Sequence, residues 1–138
     1  MNTKETITTR VIVVGSARGS GSKRLPRIRI SGLWLSEFGF TAGGMVTCVM
    51  GDGTAVLKAA GADKEAYSEC VSDIRRKGGQ ATQVLDTLHN KKRVPHFVIK
   101  GLWLTRHGFN IGDIIALYCY PGLIKVIRLD VAGARGLR

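Results

Sequence analysis

The chain has 138 residues, of which 44% are hydrophobic, enough to bury an ordinary single-domain core and unlike the composition of a disordered segment. Against 10 Asp and Glu stand 21 Lys and Arg, a formal net charge of +11, which makes polyanions the natural partners. No apolar run approaches the roughly 20 residues of a membrane span, and the opening MNTKETITTR has no apolar signal core; the expectation is a cytoplasmic protein with no membrane partner.

Residues 10–14, RVIVV, form a β-branched run that suits a buried strand. The GSARGSGSKR that follows is predicted to be a flexible basic hinge. It is not a phosphate loop, because Ser20 stands where the second glycine of G-x-x-x-x-G-K-[ST] belongs, and the next segment contains a proline and alternates like a strand. In PRIRI, Arg27 and Arg29 fall on one face and Ile28 and Ile30 on the other. LWLSEF predicts a single helical turn, and MVTCVM, GDG and TAVLKA predict a β-hairpin. Residues 59–93 are expected to be a helical connector: Ala66, Cys70, Val71 and Ile74 have helical spacing, the glycines at 78 and 79 break the helix, and Val84, Leu85 and Leu88 suggest a second short one. The basic run at 75–77 reads as a solvated face.

The first unit then returns. ISGLWLSEFGF at 30–40 is matched by IKGLWLTRHGF at 99–109, and both copies fit P-x3-I-x-G-L-W-L-x3-G-F-x2-G. The first unit spans 8–58 with its strand and basic loop, the second 94–130, and 131–138 is a basic tail. Neither unit is long enough to bury a core alone, so residues 1–138 are predicted to form one interleaved domain, an internal pseudo-dimer. The class is mainly β with a helical connector (β+α). The sequence leaves open a monomeric pseudo-dimer or a homodimer that exchanges hairpins.

LPRIRISGLWLSEFGFTAGGMVTCVMGDGTAVLKA, preceded by TRVIVVGSAR and followed by SECVSDIRRKGGQATQVLDTLH, resembles the SymE toxin-like family. Residues 8–90 resemble one whole such chain, and 94–130 resemble a second core without its own N-terminal strand. The resemblance implies an AbrB/MazE-like swapped-hairpin β-barrel. It also implies a bacterial type I toxin that binds RNA and acts as an endoribonuclease on messenger RNA. AbrB relatives bind DNA, which keeps open a non-enzymatic DNA-binding reading, compacting the nucleoid or regulating transcription.

Arg10, Arg18, Lys23, Arg24, Arg27 and Arg29 lie in a stretch with no acidic residue between Glu5 and Glu37, and Lys91, Lys92, Arg93, His96, Lys100 and Arg106 form a second such stretch. The repeat alignment sets Arg27, Arg29 and Ser31 against His96, Val98 and Lys100, so two-fold packing would join them into one nucleic-acid-binding face. Trp34 and Trp103 sit between leucines and are assigned to the core.

A metal-independent ribonuclease needs a base, an acid and a cation near the phosphate. The candidate set for that work is His107, Arg106 and Glu37, with Arg29 and Lys100 as supporting cations. His107 aligns with Phe38, so the two copies do not repeat a catalytic pair. The scattered acids have no metal-ligand spacing, and no cofactor is predicted. Cys48, Cys70 and Cys119 form no C-x-x-C pair and are expected to be reduced core thiols. A protein-interaction scaffold is the third reading, the one least in keeping with the charge.

Overall fold

The computed structural model describes residues 8–19, 21, 23–61, 72, 80–89 and 91–129. The first unit runs β1 (Thr8–Val13), β2 (Gly15–Arg18), β3 (Arg24–Ser31), α1 (Trp34–Glu37), β4 (Met45–Met50) and β5 (Thr54–Gly61). The second repeats that order as β6 (Gln80–Gln83), β7 (Leu85–His89), β8 (Lys92–Lys100), α2 (Trp103–Arg106), β9 (Ile114–Tyr120) and β10 (Leu123–Arg128).

The strands form two antiparallel sheets, a six-stranded one ordered β1-β9-β10-β5-β4-β6 and a four-stranded one ordered β2-β3-β8-β7. Both orders read the same from either end when the units are exchanged, so a pseudo-two-fold axis passes between β5 and β10 and between β3 and β8. The first strand of each unit pairs with the hairpin of the other: β1 lies on β9 and β6 on β4. The units are interlaced, as the argument from their small size requires.

The core lies between the sheets and is built from equivalent pairs: Ile28 and Phe97, Ile30 and Ile99, Leu35 and Leu104, Phe40 and Phe109, Leu57 and Val126 are all buried. The alternation read in PRIRI is what directs Ile28 and Ile30 inward here. Phe40 stacks on Phe97 of the other unit, with ring centroids 6.0 Å apart. Each hairpin turn also caps the other unit's helix: Gly53 N–H donates to His107 O and Gly122 N–H to Phe38 O, both at 2.6 Å.

The repeated G-L-W also has a steric reason. Gly32 and Gly101 take φ of +144° and +138°, and each indole lies directly against its glycine. A Cβ at Gly101 would sit 2.5 Å from the Trp103 ring, and one at Gly32 closer still to Trp34. Only glycine meets both demands.

Four expectations are corrected. β1 is not a buried strand: it is a sheet edge, paired on one side only, and Val11 and Val13 are each 59% exposed. The hinge after it begins as β2, held by β3 from Gly15↔Arg27 to Arg18↔Arg24. Residues 80–89, expected at the end of a helical connector, are β6 and β7, so the second unit has its own N-terminal strand and starts near Gln80 and not at 94. Among the described residues the two sheets remain open, and no closed barrel forms. The helix expected over 66–74 falls outside the described residues except at Ser72.

Candidate nucleic-acid interface

β3 and β8 pair across the pseudo-two-fold, with Arg27 opposite Lys100, Arg29 opposite Val98 and Ser31 opposite His96. Because Pro26, Ile28 and Ile30 face the core, period-two alternation puts Arg27, Arg29 and Ser31 on the outer face, and β8 presents His96, Val98 and Lys100 there. Directly opposed Arg27 and Lys100 repel each other. An anion bridging them relieves that cost.

Arg27 and His96 occupy equivalent positions in the two units. In each, one ring or guanidinium nitrogen, Arg27 Nε and His96 Nδ1, is buried with no hydrogen-bond partner among the described residues. A bound water or ion can supply the bond that such a buried polar atom lacks.

The two β-hairpin loops extend this face in opposite directions. Beyond Arg27, Arg18, Lys23 and Arg24 line, with Gly21, an open cavity of about 370 Å³. Beyond His96, Lys91, Lys92 and Arg93 are exposed at the β7–β8 turn. Arg93 lies 3.8 Å from Asp86, but with the side chains 71% and 40% exposed the pair neutralises little. At about 3.3 Å per residue, the ladder from Arg24 to Lys92 measures roughly 36 Å.

Arg10 comes from the other sheet. It stands on β1 with its guanidinium carbon 4.3 Å from the centroid of the Trp34 ring. Trp34 and Trp103 are themselves only half-buried: they pack against the core, as expected, but at its rim. Each indole N–H donates to the carbonyl three residues earlier, Trp34 to Ser31 at 3.2 Å and Trp103 to Lys100 at 3.1 Å.

The expected catalytic trio is not assembled. Glu37 closes α1 and Arg106 closes α2, and the two helices leave opposite ends of the β3–β8 ladder. Arg27 to Ser31 alone separates those ends by roughly 13 Å. The His107 ring lies edge-on to Trp103 at 6.4 Å, and it is the next residue, Gly108, that has Asp52 and Arg128 beside it. Arg128 Nη1 donates to Gly108 O at 2.8 Å, and a Cβ on Gly108 would lie 3.4 Å from Asp52 Oδ1. Both residues come from the hairpins, and nothing in their local sequence marks them. Cys48 and Cys119 are free and buried. Burial pushes the Cys48 thiol up to about 12 and raises that of Cys119, which the positive charge of Arg10 partly offsets.

No protein-family model, curated protein or solved structure matches this chain.

Proposed function

We propose that the protein binds nucleic acid through the outer face of the β3–β8 ladder and the two basic loops. The observation that carries this reading is the opposition of Arg27 and Lys100 across the pseudo-two-fold, flanked by cationic loops and free of acidic side chains on the ladder itself. Phosphate contacts of this kind fix position without reading sequence. The interlacing of the two units supports the likeness to SymE-type chains and to the swapped-hairpin proteins AbrB and MazE, with both halves supplied by one chain.

The test is salt dependence. With roughly five phosphates neutralised, log affinity falls against log salt with a slope near −4 to −5 for duplex DNA, and less steeply for single-stranded RNA. Replacing Arg27, Arg29 and Lys100 together by Ala should flatten that slope with folding intact; an unchanged slope removes the assigned face.

A second reading, metal-independent RNA cleavage, is favoured by Asp52 and Arg128 lying beside Gly108, the neighbour of His107 at the end of α2. It excludes Glu37 from the centre. End-labelled RNA incubated with the protein in EDTA tests it: fragments that disappear in His107→Phe, the residue the first unit carries at that position, establish cleavage, and intact RNA removes it.

A further inference from the structure

The two tryptophans are equivalent in sequence and turn geometry, yet among the described residues only Trp34 has its ring covered by a cation. Arg10 pairs with Leu117 in the β1–β9 ladder, and the equivalent step of the other ladder pairs Gln80 with Cys48. Gln80 therefore occupies the place of Arg10, and no guanidinium covers Trp103 among the described residues. A cavity of about 130 Å³ lies there, lined by Gln80, Thr82, Val98, Lys100 and Trp103 among others. A single water needs only roughly 10–15 Å³ on the same measure. The first unit shows what this geometry accepts: a flat, delocalised group lying over the indole.

We propose that the Trp103 cavity receives one unpaired nucleobase of a bound single strand, stacked on the indole. This rests on the reading of the basic face as a nucleic-acid surface and deepens it by naming the strand state. An external cation is disfavoured, because Lys100 lines the cavity and Arg27 stands opposite it. A base is flat and uncharged, and the phosphate attached to it is drawn to that same pair of cations. Gln80 and Thr82 supply an amide and a hydroxyl that can both donate and accept toward a base edge, and base–aromatic stacking is the usual means of holding a single strand. In a duplex the base faces are already stacked and unavailable.

The chain has two tryptophans, so Trp34→Phe leaves Trp103 as the sole indole emitter and Trp103→Phe leaves Trp34. Each variant is titrated with a short oligoadenylate, with the matching duplex, and with an arginine-rich peptide. Oligoadenylate should quench Trp103 emission and leave Trp34 emission nearly unchanged, while duplex and peptide quench neither. Gln80→Arg, which copies the first unit, should abolish the quenching and weaken oligoadenylate binding by roughly 5- to 100-fold, although the added positive charge alone would tighten it. It leaves both tryptophans in place, so misfolding of an indole variant does not decide the outcome.

Equal quenching of both tryptophans, quenching by duplex or peptide, or tighter oligoadenylate binding by Gln80→Arg overturns the proposal. If salt-sensitive binding persists without Trp103 quenching, the cavity assignment falls and the basic face stands. If no nucleic acid binds at low salt, both fall.

Discussion

The two units share one backbone plan and differ in what they display on it. At equivalent positions the first has Arg10, Arg27, Arg29, Glu37 and Phe38, and the second has Gln80, His96, Val98, Arg106 and His107. The buried pairs, by contrast, exchange one apolar residue for another, as at Ile28 and Phe97 or Leu57 and Val126. An interlaced core requires complementary packing from both units, whereas the outer surface is free to diverge. That freedom makes a pseudo-dimer chemically asymmetric in a way that a dimer of identical chains is not.

The largest expected effect tests the shared part. Leu35→Ala and Leu104→Ala each empty a fully buried equivalent site and should each cost about 2–5 kcal/mol. Denaturant unfolding should show one cooperative transition in both variants, since neither unit has a core of its own; two separate transitions would mean the units fold independently.

Next in size is the divergent face. With the phosphate shared by Arg27 and Lys100 and the one at Arg29 removed, the Arg27→Ala, Arg29→Ala, Lys100→Ala variant should lose about 2 in the magnitude of its duplex salt slope, measured by fluorescence anisotropy. If each unit binds independently, Arg27→Ala alone and Lys100→Ala alone will each change the slope by about 1 and their effects will add. If one bridging phosphate is shared, as their opposition suggests, the double variant will lose little more than either single one.

A smaller effect separates the tryptophans. Arg10→Gln gives the first unit the residue of the second and should cost about 0.5–1 kcal/mol as the cation–π contact is lost, read as a drop in the denaturant midpoint. It should also make Trp34 accessible to quenching by oligoadenylate.

The smallest concerns pH. The folded chain keeps the Cys48 thiol protonated up to about 12, against an ordinary value of 9.0. The stability this contributes is complete below about pH 9 and is lost as the pH rises toward 12. Cys48→Ala should flatten the fall of the denaturant midpoint across that window, and in the native protein Cys48 should resist thiol reagents at neutral pH.

What the sequence determined by itself is local or repeated. The G-L-W-L skeleton marked two units, the alternation of PRIRI assigned Ile28 and Ile30 to the core and Arg27 and Arg29 to the outside, and the glycine turns marked both hairpins. These signals lie within a few residues of one another, because strand pleat and turn chemistry are short-range. The tertiary structure decided the rest. Val84, Leu85 and Leu88 have helical spacing, yet 80–89 became strand because β4 and β8 offered unfilled edges, and strand preference yields to such context. The same distant pairing set Arg10 on Trp34, left Gln80 beside the Trp103 cavity, brought Asp52 and Arg128 to Gly108 beside His107, and kept Glu37 apart. Ladder partners far apart in the chain leave no periodic trace, so only the folded chain shows which residues stand together.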